Sequence, residues 1–194
     1  MEPTTVVLDR DDMRRTLVRI AHEIVEKNPD GTIALVGIHR RGAHLARRVH
    51  ALTSELLDSP VPLGSVDIAF YRDDLRIGPV GAGGDRFPVV HATELDFPVD
   101  ARTIVIVDDV LYTGRTVRAA IDVVFDYGRP AKIQLATLVD RGHRELPIRP
   151  DYVGKNIPTS QQQRVNVRVQ EVDGVDEVTI GPGGRGWEAR IKVA

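Results

Sequence analysis

One run in this chain leaves its fold little freedom. Ile104-Val105-Ile106-Val107 is wholly apolar, Asp108 and Asp109 follow directly, and Thr113-Gly114-Arg115-Thr116 comes three residues later, ahead of a helical pattern. The apolar stretch Thr103–Val107 predicts a short strand buried on both faces, as in a parallel sheet. Two adjacent carboxylates at the end of such a strand are costly without partners, so a bound ligand accounts for them better than the core does. The helix that follows starts with unpaired amide groups and the positive end of its dipole. Gly114 lets the backbone approach closely, and Thr113 and Thr116 add hydroxyl donors. The loop therefore suits a phosphate and the acids suit neighbouring hydroxyls; a 5-phosphorylated ribose carries both groups at that separation. The run is not a Walker loop, because it has no Gly-Lys-Ser/Thr.

The rest of the chain fits the same architecture. Met13, Leu17, Ile20, Ala21 and Ile24 form one apolar stripe, which predicts a helix over 11–27 with Asp9 or Asp11 as its cap. A turn cluster at 28–31 ends it, and Thr32–Val36 reads as another buried strand. A second helix is expected over 42–57, a loop over 60–64, and a strand over 65–71. Helix 115–127 closes at Gly128 and Pro130, and strands are expected over 133–139, 151–154 and 164–172. Strands alternating with helices imply an α/β fold with a mainly parallel sheet and helices on both faces. Ligands of such sheets sit at the carboxyl ends of the strands. Residues 1–180 read as a single domain, followed by a Gly-rich mobile tail, 181–194, in which Trp187–Val193 has the pattern of an extra strand.

Composition excludes several classes. With 42% hydrophobic residues, 194 residues build a core, and 28% charged residues is too ordinary for a disordered chain. No apolar run approaches the roughly 20 residues of a membrane helix, and Met1–Thr5 lacks the features of a secretory signal. There is no cysteine, so disulfides and thiolate metal sites are excluded. The expected compartment is the cytoplasm. The net charge of −2 says little about nucleic acid, because the arginines cluster: Arg14, Arg15, Arg19; Arg40, Arg41, Arg47, Arg48; Arg141, Arg144, Arg149.

Three further segments are candidates for chemistry. Gly37-Ile38-His39-Arg40-Arg41-Gly42 follows the first apolar strand, and two arginines beside free amides make either a diphosphate cradle or a solvated basic turn. Residues 72–98 hold four glycines and three prolines and show no period, the pattern of a lid or binding loop. On the first helix, Arg15, Arg19 and His22 fall at i, i+4 and i+7, opposite the apolar stripe, and Arg141 and Arg144 extend this basic set. Glu23 and Glu26 interrupt it, so composition alone also fits a solvated charged face.

The run Ile104–Thr116 resembles the 13-residue signature of type I phosphoribosyltransferases. Within them the chain is similar to the PyrR family, bifunctional pyrimidine operon regulators that are also uracil phosphoribosyltransferases. The resemblance spans about residues 6–180. It rests on the signature, on Arg14-Arg15 with Arg19–Glu23, on Tyr71–Leu75, on Val139–Arg149 and on Lys155–Ser160. It implies the type I fold, with a small hood beside the sheet. It implies that Asp108 and Asp109 hold the ribose hydroxyls and that Val110, Leu111, Tyr112, Thr113, Gly114, Arg115 and Thr116 make the sugar-phosphate site. Arg40 and Arg41 become the pyrophosphate loop, often with a non-proline cis peptide, and Arg72 opens a lid that closes over substrate. Arg141, Tyr152 and Val153 are placed at the base, although an aromatic beside Val153-Gly154 is equally a core residue. Mg²⁺ is expected, bound mainly through the substrate diphosphate rather than by a protein cage. The implied partners are 5-phosphoribosyl 1-diphosphate, uracil, UMP and UTP, and an mRNA leader bound by Arg15, Arg19, His22, Arg141 and Arg144. A homodimer or higher homo-oligomer is also implied. A phosphoribosyltransferase for another base, with no RNA role, is the alternative.

Overall fold

The computed structural model describes residues 4–69 and 92–183. Residues 70–91, with Tyr71, Arg72 and most of the expected lid, and the expected strand at Trp187–Val193 lie outside the described residues; the last part of that loop, 92–98, is described and is held to β3 by a bridge between Glu94 and Ser65.

Five parallel strands form the main sheet: β2 (Ile33–Ile38), β3 (Leu63–Val66), β4 (Thr103–Leu111), β5 (Lys132–Asp140) and β6 (Tyr152–Asn156), in the order β3-β2-β4-β5-β6. Three antiparallel strands form a small second sheet, the hood, in the order β1-β8-β7: β1 is Thr5–Leu8, β7 Gln163–Arg168 and β8 Glu177–Pro182. The helices are α1 (Arg10–Lys27), α2 (Arg41–Leu56), α3 (Arg115–Asp126) and a short α4 (Gln170–Asp173) between β7 and β8.

The apolar strands are continuous because both of their faces are buried, and the pleat sends alternate side chains to two separate cores. Ile33, Leu35, Val105 and Val107 join Met13, Leu17, Ile20 and Ile24 of α1 and Leu45 and Val49 of α2. Ala34, Val36, Ile38, Ile104 and Ile106 face Val117, Ala120, Val123 and Val124 of α3. The hood adds Leu8, Val165, Val167 and Val178 to the first core. The stripe expected on α1 is the stripe that is buried. Asp9 caps α1 in a reciprocal capping box with Asp12, and the buried Asn28 amide closes the other end by donating to the Ile24 carbonyl.

Several boundaries differ from expectation, each for a local reason. β4 does not stop at Val107: Asp108 pairs with Thr137, Val110 with Val139 and Leu111 with Asp140, so the acids lie within the strand. β3 starts at Leu63, drawn into register with Leu35 of β2, and ends at Val66. The strand expected over 164–172 ends at Arg168, because the Asp173 carboxylate accepts the Val169 amide and turns the chain into α4. β8 reaches two residues into the expected tail, with Gly181 opposite Arg164 and Pro182 opposite Gln163. Proline is tolerated there because β1 pairs with β8 only as far as Ile180, leaving Pro182 beyond the end of that ladder. β1 and β8 themselves carry no pattern that marked them as strands.

Candidate active site

The carboxyl ends of β2 and β4 are neighbours, with Gly37 opposite Val107. The loop after β2 therefore arrives beside the acidic pair. Gly42, in the first turn of α2, makes the approach possible: a Cβ there would lie 2.7 Å from the Val107 carbonyl and 3.4 Å from Asp108 Oδ1. The His39–Arg40 peptide in this loop is cis. His39 Nε2 lies 3.0 Å from Ser65 Oγ, which ties the loop to β3.

Asp108 is buried and Asp109 is half-buried. Asp108 Oδ1 accepts the Asp109 amide at 2.9 Å and Asp109 Oδ1 accepts the Val110 amide at 2.8 Å. Burial, reinforced by the charge of Asp109, pushes the Asp108 carboxyl well above the usual range. Burial also raises Asp109, against the opposing amide bonds and the charge of Arg41. The two behave as one coupled site that resists a second negative charge. The sign for stability follows. A folded state that keeps a proton longer than the unfolded chain loses stability as pH rises above the unfolded carboxyl range, near 3.8. Asp108→Asn should therefore melt higher than the wild type at neutral pH, with the gap shrinking as pH falls toward that range. Thermal unfolding of both proteins at pH 5 and pH 8 checks this; an equal gap at both would contradict it.

Beyond Leu111 the chain turns through Tyr112 and Thr113 to Gly114, which sits at φ +93° as the N-cap of α3. An L side chain is strained at that angle, and a Cβ would also meet Leu146 and Ile148 at 3.3–3.4 Å. Gly114 has no side chain to cap α3; the first amide, that of Arg115, donates to Thr113 Oγ at 3.3 Å, and the amides after it have no side-chain cap. The segment after β5 girdles this turn. The Glu145 and Leu146 amides donate to the Thr113 carbonyl at 3.0 and 3.1 Å. Arg144 donates to the carbonyls of Tyr112, Gly142 and Ile148 and pairs with Asp140.

These contacts revise several expected roles. Arg144 is a buckle for the turn at Tyr112–Gly114 rather than a free surface cation. Arg141 is buried, donates to the Ser160 and Gln163 carbonyls, and stacks its guanidinium 4.2 Å above the Tyr112 ring. It cannot reach an RNA phosphate from there. Arg115 is exposed and paired with Glu145 at 2.6 Å. Leu111 lies in the core under α3, and Val110 packs against the other core. Their side chains support the site without facing it. Tyr152 is fully buried, and its hydroxyl donates to Gln134 and accepts from Asn28, so it is a core residue, not a base-stacking one. Tyr152→Phe should cost about 1 kcal/mol of stability, the usual value of one such bond, and leave the KM for the base unchanged. Urea unfolding and steady-state kinetics separate the two effects; a raised base KM would restore the stacking role.

Arg41 is held by a partner no periodicity announces. Its Nε and Nη2 donate to both oxygens of Asp173 at 3.0 and 2.7 Å, across 132 residues of sequence. Arg48, two turns on, pairs with Glu171 at 2.7 Å and Asp176 at 2.8 Å. The three acids around α4 thus fasten the hood to α2. The one available signal was charge matching between the run 171–176 and the arginines of α2. Arg40 remains exposed at the mouth of the loop.

On α1, Arg15, Arg19 and His22 are all exposed and share one face. Arg15 pairs with Asp12 at 2.6 Å, and Arg19 donates to the Val153 and Gly154 carbonyls at 2.9 and 2.7 Å and pairs with Glu23. The Val153 carbonyl, beside the expected base edge, thus also anchors this helix. Among the described residues no three metal-ligating side chains converge, and no helix is long and apolar enough to cross a membrane.

Comparison with known proteins agrees with this geometry. Residues 6–172 match the phosphoribosyl transferase domain family. The bifunctional protein PyrR of Roseiflexus sp. (strain RS-1) is 58% identical over 177 residues, 90% of this chain and 93% of that protein. The bifunctional protein PyrR of Deinococcus deserti is 51% identical over 179 residues, covering 92% and 94%. The crystal structure of hypoxanthine phosphoribosyltransferase from Trypanosoma cruzi superposes with a TM-score of 0.67 at 14% identity, over 93% of this chain and 97% of that one. That of Staphylococcus aureus gives 0.66 at 18% identity, over 93% of each. At those identities the solved structures speak for the fold alone. With a phosphoribosyl transferase domain over most of its length and relatives more than half identical, this chain belongs to the PyrR family of phosphoribosyltransferases.

Proposed function

We propose that this protein transfers the phosphoribosyl group of 5-phosphoribosyl 1-diphosphate to uracil, giving UMP and diphosphate, and that it binds the leader RNA of pyrimidine genes under the control of uridine nucleotides. One observation carries the catalytic half: an acidic pair, Asp108 buried and Asp109 half-buried, inside the end of β4, next to the loop of Arg40 and Arg41 and one short turn from the start of α3. The relatives are named bifunctional proteins, which fits an enzyme that is also a regulator.

The acids bind the two ribose hydroxyls, which replace the partners that burial denies them. The amides of α3 and the hydroxyls of Thr113 and Thr116 hold the 5-phosphate. Arg40 and Arg41 face the diphosphate and stabilise the charge that builds on it as the bond from the anomeric carbon to oxygen breaks. A ring nitrogen of uracil takes that carbon, and its proton leaves to solvent. The sugar passes through a cationic state, as in glycoside transfer, and Asp109 is the nearest fixed negative charge to stabilise it. Mg²⁺ fits this donor set. Among the described residues no third metal-ligating side chain joins the two carboxylates, which would suit an ion held mainly by substrate oxygens and water; such an ion would neutralise diphosphate charge. The protein acts in the cytoplasm as a homodimer or higher homo-oligomer.

The test of the reading is a base panel. The protein is mixed with the diphosphate sugar, Mg²⁺ and each of uracil, hypoxanthine, guanine and orotate, and nucleotide formation is followed. UMP alone is the expected product. A purine nucleotide instead would select the alternative of a transferase for another base.

A further inference from the structure

We propose that Asp173 is a positioning residue for the transfer reaction: from the hood, it fixes the guanidinium of Arg41 at the diphosphate loop. The inference rests on the catalytic reading above.

Arg41 is the first residue of α2, and the first turn of that helix holds no acidic side chain. A cation there opposes the helix dipole, so nothing on α2 balances it. Asp173 does, through a two-pronged contact to Nε and Nη2. The Asp173 carboxylate is itself fixed, because its Oδ2 also accepts the Val169 amide at 2.9 Å. Guanidinium has two edges that can each meet a planar or tetrahedral anion. Asp173 takes the Nε and Nη2 hydrogens of one edge, which leaves the Nη1 edge as the donor for a second anion. The same guanidinium also feels the charge of Asp109. A long side chain without such a clamp would lose rotamer freedom on every encounter with substrate. With it, that cost is met in folding.

A mere tether between hood and α2 would behave differently, because Arg48 with Glu171 and Asp176 already provides one. The discriminating comparison is therefore Asp173→Asn against Asp176→Asn in the full-length protein. Asp173→Asn should raise the KM for the diphosphate sugar about tenfold or more, the usual effect of misplacing one charge-assisted contact. The KM for uracil and the affinity for UMP, which lacks the diphosphate, should hold. Asp173→Glu should recover part of the loss. Asp176→Asn should lower the melting temperature and leave the diphosphate-sugar KM alone. Titration of inorganic pyrophosphate with Mg²⁺ by calorimetry gives a readout that does not need turnover, and Asp173→Asn should bind it more weakly. An unchanged KM and pyrophosphate affinity in Asp173→Asn, or an equal change in Asp176→Asn, would overturn the inference. A wild type that binds pyrophosphate but makes no nucleotide with any base would instead overturn the catalytic reading, and the calorimetric comparison would still decide the role of Asp173.

Discussion

Replacing Asp108 and Asp109 together with asparagine is expected to abolish nucleotide formation while leaving a folded, more heat-resistant protein. Both effects have one cause. The carboxyls lie at the end of a strand buried on both faces, where burial resists their ionisation. Their protein bonds are to the amides of Asp109 and Val110, which asparagine oxygens accept equally well. The fold therefore gains by losing the charge, in the way that function-bearing sites often sit below the stability optimum. The reaction loses the ionic contacts to the ribose hydroxyls and the negative charge beside the sugar cation. Contributions of this kind reach on the order of a thousandfold in turnover. UMP formation and thermal unfolding on the same preparation check the pair of outcomes. Wild-type turnover in the folded double variant would remove the acids from the ribose site.

The second large effect concerns RNA. Arg15→Ala with Arg19→Ala should weaken binding of a pyrimidine-operon leader hairpin at least about tenfold and reduce the salt slope by about one to two, since each lost phosphate contact releases one counterion fewer. The stripe is exposed along α1, away from the acids of β4, so uracil transfer should persist. Arg19 has a second duty, because its guanidinium donates to the Val153 and Gly154 carbonyls and so seats α1 on β6. Arg15→Ala with His22→Ala spares that contact and should show the same direction of effect with the structure intact. Uridine nucleotides should tighten RNA binding by favouring the RNA-competent state. Filter binding against a scrambled hairpin provides the control. A double variant equal to the wild type would make the stripe a solvated face, and a wild type indifferent to the hairpin sequence would leave the enzyme alone.

What was legible from residues alone followed from local physics. The stripe Met13–Ile24, the apolar strands and the acid–loop–helix run each depend on neighbours within a turn or a pleat, and they fold as their spacing implies. Of the hood, only β7 was legible as a strand; β1 and β8 were not. Thr5–Leu8 and Glu177–Pro182 are short, half-exposed and pair with each other from opposite ends of the chain, Thr5 with Ile180 and Leu8 with Val178. Side-chain partners escaped for the same reason. Arg41, Arg141 and Arg144 look alike as surface cations, yet one is gripped by Asp173, one is buried over Tyr112 and one buckles the turn at Tyr112–Gly114. Tyr152 was open between a base platform, which the resemblance implied, and the core residue that its local sequence equally fits; Asn28 and Gln134 claim its hydroxyl and place it in the core.

The most direct test is a crystal structure of the full chain with 5-phosphoribosyl 1-diphosphate and Mg²⁺. The expected result places the ribose 2- and 3-hydroxyls on Asp108 and Asp109, the 5-phosphate on the amides between Thr113 and Thr116, and the diphosphate against Arg40 and Arg41. A sugar bound elsewhere, with the acidic pair still facing only the amides of Asp109 and Val110, would contradict it.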